Sequence, residues 1–163
     1  AVAGLLAALP QLTLIFAPHY NSYRRFRAHS LAPTNINWGY ENRTAAIRIP
    51  GGPTSARRIE QRAAGADANP CLVLAAHLGA ALHGIKNKQL PPAPIEGWNY
   101  DRSEASVPTE WSHAIDLFES GEIARSIFHP ALHKQLVSLK RHEVAVFKQQ
   151  VSHFEYDSYL EEA

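Results

Sequence analysis

Methionine is absent from the 163 residues, cysteine occurs once, and no apolar run reaches the length of a membrane span. The single Cys71 excludes a disulfide framework within the chain and any cysteine-rich zinc module. The longest apolar stretch, Ala1–Leu9, is cut by Pro10 and lacks the basic flank of a signal peptide, so neither a transmembrane helix nor a leader is expected. With no initiating methionine, and opening inside an apolar segment, the chain reads as a piece of something longer. Charge is also scarce: 19% charged against 45% hydrophobic residues describes a globular chain rather than a disordered one, and the length suits one domain with a real core.

Lysine is missing from His19 to Pro70. Eight arginines stand there (Arg24, Arg25, Arg27, Arg43, Arg48, Arg57, Arg58 and Arg62) against Glu41, Glu60 and Asp67, a net of +5. From Cys71 onward eight basic and twelve acidic residues give −4, so the overall +1 conceals two regions of opposite sign. A planar guanidinium with five donors suits fixed recognition of carboxylate or phosphate, which makes the arginine stretch a candidate anion site; the plainer alternative is a basic surface patch.

The pattern along the chain predicts an α+β architecture. Ala1–Leu9 reads as a buried helix stopped by Pro10, and Leu12–Phe16 as a strand. Pro18–Pro33 reads as a long functional loop. Arg43–Ile49 and Arg57–Arg62 read as an antiparallel strand pair around the Pro50–Ser55 turn. Asn69-Pro70 is a helix start signal, and the helix to about Ile85 is apolar nearly all round, so burial is expected. Lys86–Pro108 reads as loop. Helices are expected from Thr109 to near Gly121, from Ser120 to Phe128, and as one long element from Pro130 to about Leu160. The whole, 1–163, divides into an active-site half (1–88) and a Pro-rich loop with C-terminal helices (89–163).

Within a strand, Arg58, Glu60 and Arg62 share one face, spaced by about 6.6 Å, while Ile59 points to the core. The bland reading is a glutamate that neutralises its neighbours. The functional reading is a carboxylate that ligates a hard cation such as Mg²⁺ or Mn²⁺, beside arginines that hold anionic groups. His129 and His133 stand four apart but lack an acidic third ligand, which favours a surface pair. His77, His83 and Cys71 read as packed side chains of the apolar helix.

Five segments then follow in order: Asn21-Ser-Tyr-Arg-Arg25, Asn42-Arg-Thr-Ala-Ala-Ile-Arg-Ile-Pro50, Arg57-Arg-Ile-Glu-Gln-Arg62, Ala68-Asn-Pro70 and Gly84-Ile-Lys-Asn-Lys88. Together they resemble the C-terminal part of the catalytic domain of the glutamine synthetase family, most closely over residues 1–88. The resemblance implies an ATP-dependent ligase that phosphorylates the glutamate γ-carboxylate and lets ammonia or an amine displace the phosphate, with Mg²⁺ or Mn²⁺ clamping the phosphates. It assigns the substrate's carboxylates to Arg25 and Arg62, the transferring phosphoryl group to Arg43, ATP phosphates to Arg48 and Arg58, and a metal-ligand role to Glu60. It also implies a cytoplasmic ring-shaped homo-oligomer, with no nucleic-acid or membrane partner.

The sequence departs from that family at informative points. Where ammonia-using members carry a glutamate that closes over the site, this chain has Leu31, which neither accepts a proton nor attracts ammonium. Trp38-Gly-Tyr-Glu41 before Asn42 is also closer to the branch that γ-glutamylates polyamines or other amines. Ser55 stands where the family often has a lysine near ATP. Tyr100 occupies a place comparable to the tyrosine adenylylated in bacterial ammonia-using members, although an ordinary loop tyrosine is the favoured reading. Two rivals remain at this level: glutamine synthetase proper, using ammonia, and an arginine-rich polyanion-binding module with steep salt dependence. An acid in the middle of the basic row counts against the second. The family's other metal ligands have no match here, so the 163 residues alone are expected to be inactive.

Overall fold

A computed structural model describes residues 1–100 and 106–161. Six helices, α1 (Val2–Phe16), α2 (Pro70–Lys86), α3 (Trp111–Ser120), α4 (Glu122–Ile127), α5 (Pro130–Lys148) and α6 (His153–Tyr159), accompany three short strands, β1 (Trp38–Tyr40), β2 (Ile47–Ile49) and β3 (Glu60–Gln61). The expected α+β class is observed. The expected loop over Lys86–Pro108 is irregular where it is described, with residues 101–105 outside the described set.

Helix α1 is the hub of the core and corrects two expectations. It runs through Pro10 without stopping, and Leu12–Phe16, expected as a strand, is its second half. A proline in mid-helix removes the bond to the carbonyl four residues back and costs about 3 kcal/mol or more. Burial offsets this, because Leu5, Leu9, Leu12, Leu14 and Phe16 are nearly inaccessible and the helix packs on α2, α3, α4 and β2. Thr13, buried in the same helix, satisfies its hydroxyl on the Leu9 carbonyl at 2.7 Å. Gln11 reaches out of it to accept the amides of Ile123 and Ala124 at 3.0 and 3.2 Å, capping α4 from a distant element.

Helix α2 begins as read: Asn69 caps it, accepting from Cys71 and Leu72, with Pro70 at the first helical position. Its burial differs from the expectation. Ala76, Ala80 and Gly84 face the core, whereas Leu74, Leu78, Leu82, Ile85 and Cys71 are exposed. The inner face is selected by size. A Cβ on Gly4 would stand 2.2 Å from the Ala80 carbonyl and 2.7 Å from the Gly84 Cα, so α1 and α2 approach with backbones nearly touching.

The sheet order is β1-β2-β3, with β1 and β2 parallel and β2 and β3 antiparallel. The antiparallel pair was expected, though each strand is shorter than its segment; β1 and its parallel pairing were not. Register sets Arg48 opposite Glu60. The expected single helix from Pro130 to Leu160 is two, because Ser152 and Glu155 form a capping box that starts α6.

Candidate functional site

The site is built on the register of β2 and β3. Placing Arg48 across from Glu60 brings the Arg48 Nη1 within 3.0 Å of the Glu60 Oε2. The residues flanking β3 add Arg62, whose Nη1 lies 3.3 Å from the same oxygen, and Arg58 at 3.9 Å from the other. Ile59 points the opposite way and packs against the core, as the alternation required. One carboxylate therefore meets three guanidiniums. Arg48 and Arg62 are largely covered (12% and 18% of their side-chain surface exposed), whereas Arg58 is open, with 60% exposed.

Arg48 also holds a second acid. Its Nη2 donates to Glu41 at 2.7 Å, and the other Glu41 oxygen accepts the Gly51 amide. The Gly51 amide first, and then Arg48, hold the Glu41 carboxyl below its ordinary value; the hydrogen bond from Arg48 does the same for Glu60, against the opposing effect of burial. Both acids are thereby favoured in the ionised form.

Arg62 extends the cluster to the long loop, its Nη2 donating to the Leu31 carbonyl at 2.9 Å. His29 and Leu31 both adopt left-handed backbone (φ 63° and 60°), a conformation that costs a non-glycine residue of order 1–3 kcal/mol and persists only under constraint. The constraint is visible: Arg62 holds the Leu31 carbonyl and the Tyr100 hydroxyl holds that of Ala32 at 3.2 Å. Arg25 comes to the same region by another route, donating to the Ala63 and Ala64 carbonyls just past Arg62, at 2.5 and 3.4 Å. Arg43 is exposed and lines a cavity of about 740 Å³ together with Leu31, Tyr40, Glu41, Ile95 and Trp98.

The structure thus joins Arg48, Arg58, Glu60 and Arg62 directly, brings Arg25 beside them through the backbone, and sets Arg43 with Leu31 across one cavity. Sequence reasoning missed the bridging role of Glu41 and a buried amide network. Asn99, fully buried, donates from Nδ2 to the Thr44 carbonyl at 2.9 Å and from its backbone amide to the Thr44 hydroxyl at 3.2 Å, while its own oxygens accept from Asn35 and Asn37. Asn42 donates to the Gly97 carbonyl at 2.8 Å and accepts from Thr44. Arg43 is clamped between these two anchored neighbours. Asparagine in a loop announces only a turn, so no local signal revealed it. The histidine pair resolves structurally: His129 Nδ1 accepts the Ala131 amide, and His133, expected at the surface, is buried with Nε2 2.8 Å from the Phe118 carbonyl.

The donor set fits one corner of a cation and phosphate site. Glu60 offers a single ionised carboxylate, and among the described residues there is no group of three potential metal ligands. A hard cation commonly takes one or two carboxylates and completes its shell with water and phosphate oxygens, so Glu60 suits one ligand position and the open Arg58 suits a phosphate.

Comparison with known proteins gives the family. The family described as "Glutamine synthetase, catalytic domain" matches residues 1–159, and the chain belongs to that family. Among its relatives, a gamma-glutamylethanolamide synthetase of Streptomyces coelicolor is 38% identical over 94% of this chain and 33% of its own length. A glutamate–isopropylamine ligase of a Pseudomonas species is 37% identical over 98% of this chain and 36% of its own. A glutamine synthetase of Methanocaldococcus jannaschii is 35% identical over 98% of this chain and 37% of its own. The chain spans about a third of the length of the curated relatives it matches.

Proposed function

We propose that these residues form part of an ATP-dependent ligase that joins the glutamate γ-carboxylate to a primary amine in preference to ammonia. The observation that carries the reading is the convergence of Arg48, Arg58 and Arg62 on Glu60, with Arg62 tied to Leu31 and Leu31 lining the cavity of Arg43. A row of arginines serving only as a polyanion patch has no use for a central acid, and Arg48 and Arg62 both favour the ionised form of this one.

In this reading Arg58 and Arg48 hold ATP phosphates, Arg25 and Arg62 hold the carboxylates of glutamate, and Arg43 offsets charge on the phosphoryl group as it transfers. Glu60 supplies one ligand to Mg²⁺ or Mn²⁺, which when bound neutralises and orients the phosphates. The amine nitrogen then forms a bond to the γ-carbonyl carbon, phosphate departs with the oxygen it was attached to, and the nitrogen loses a proton. Leu31 takes no part in that proton transfer. An apolar side chain there, 47% exposed and facing the cavity, disfavours a small hydrated ammonium and suits an alkyl substituent. The enzyme is inferred to be a cytoplasmic ring oligomer. These 163 residues alone are inferred to lack ligase activity, because Glu60 has no further metal ligands gathered beside it among the described residues.

The test is ATP-dependent amide formation by a ligase that bears this segment together with the remaining length of the family. Glutamate is supplied with ammonia, butylamine or 1,4-diaminobutane, and ADP and amide are quantified. Amide formation with an amine exceeding that with ammonia is expected. Equal or better turnover with ammonia removes the amine preference and leaves the glutamine synthetase reading; no ATP-dependent product with any of the three removes the ligase reading.

A further inference from the structure

The loop that carries Trp98 is fixed from both sides, yet the Trp98 side chain itself is 60% exposed. Gly97 before it accepts from Asn42, Asn99 after it is fully buried in the amide network with Asn35, Asn37 and Thr44, and Tyr100 donates to the Ala32 carbonyl. A large apolar ring held rigidly in water is a preorganised contact surface, since its ordering cost is already met before a ligand arrives. The other two tryptophans, Trp38 and Trp111, are both buried. Trp98 packs beside Tyr100 and His29, with ring centroids 5.8 and 6.3 Å away, and this contact joins its loop to the one bearing Leu31. The ring also lines the 740 Å³ cavity with Leu31, Tyr40, Ile95 and Arg43.

We propose that Trp98 is a specificity-determining residue: with Leu31 and Tyr40 it forms the apolar subsite that receives the alkyl chain of the primary amine. The inference rests on the ligase reading above and adds where the substituent lies. Three features converge. The wall is apolar and rigid, so it gains by covering methylenes. Charge in the same cavity is mixed, Arg43 standing there with Glu41 and Glu96, so it is the apolar wall that distinguishes an alkylamine from ammonium. Ammonia has no substituent to reach the ring, so the contact contributes only to substituted amines. Discrimination of about tenfold or more is what a contact with a few methylenes supplies.

Two measurements test it. In the ligase bearing this segment, Trp98→Ala is expected to lower the ratio of kcat/KM for butylamine to that for ammonia about tenfold, with Trp98→Phe restoring most of it. Because Trp98 is the exposed tryptophan of these 163 residues, butylamine is also expected to lower acrylamide quenching of the fluorescence, and Trp98→Phe to abolish that component of the protection. An unchanged ratio in Trp98→Ala overturns the proposal, as does quenching that butylamine leaves unaltered. If no ligation is detected at all, the ligase reading fails while the fluorescence titration still decides whether an alkylamine meets this ring.

Discussion

Among the described residues, two arginines each bridge two carboxylates. Arg48 joins Glu41 to Glu60; Arg141 joins Asp116 to Glu119. The Arg141 group lies on the outer faces of α3 and α5, with every member about half exposed, and no further ion pair joins it among the described residues. The Arg48 group is covered at its arginine, shares Glu60 with Arg62 and Arg58, and is set by strand register. Hydrogen-bond length does not separate the two. What separates them is how many independent elements meet there and how much water is kept away, which is why one is a candidate site and the other, screened by solvent, adds little to stability.

The comparison breaks most sharply at Glu60. In a ligase bearing this segment, Glu60→Gln is expected to lower ATP-dependent turnover by at least about 100-fold with the fold retained by circular dichroism, since the substitution keeps the shape and removes the charge that three arginines and a hard cation need. Activity close to wild type would return the cluster to a structural role. Asn99→Ala comes next. It deletes buried bonds to Thr44 and Asn37 and leaves the Thr44 carbonyl without that donor, so a loss of roughly 2–3 kcal/mol in urea unfolding is expected, with weakened turnover through a loosened Arg43.

The pH dependence follows from Glu41 and Glu60. Both carboxyls are depressed in the folded state, so the unfolded chain binds more protons and stability rises with pH through this range. Their contribution is complete above the ordinary carboxylate value and is lost as pH falls through the depressed folded values. The Glu41→Gln, Glu60→Gln double variant is expected to flatten the acid limb of urea midpoints measured below about pH 4.5; an unchanged limb would show that the pair contributes nothing there. The smallest effect belongs to Arg141→Ala, within about 1 kcal/mol in stability and without effect on turnover. A larger loss would mean the outer group has been undervalued.

Much of the site was legible because its logic is local. Alternation alone grouped Arg58, Glu60 and Arg62 and turned Ile59 inward, and Asn69-Pro70 announced α2. Other parts are set by contacts that no local pattern carries. Pro10 reads as a stop, yet α1 continues because its surroundings bury it almost completely. The apolar α2 reads as enclosed, yet its inner face is chosen for small residues by the approach of Gly4 and Gly84. Asn99 reaches Thr44 from 55 positions away. The break between α5 and α6 is different, since Ser152 and Glu155 spell a capping box that the long apolar stripe obscured.

Leu31, tied to the arginine cluster and facing the Arg43 cavity, is proposed to turn the family's chemistry toward substituted amines. The direct measurement is the ratio of kcat/KM for butylamine to that for ammonia in the wild-type ligase and in Leu31→Glu. A ratio above one is expected in the wild type, with a fall of about tenfold or more when a carboxylate replaces Leu31; a wild-type ratio at or below one, or a ratio that Leu31→Glu leaves unchanged, would overturn that role for Leu31.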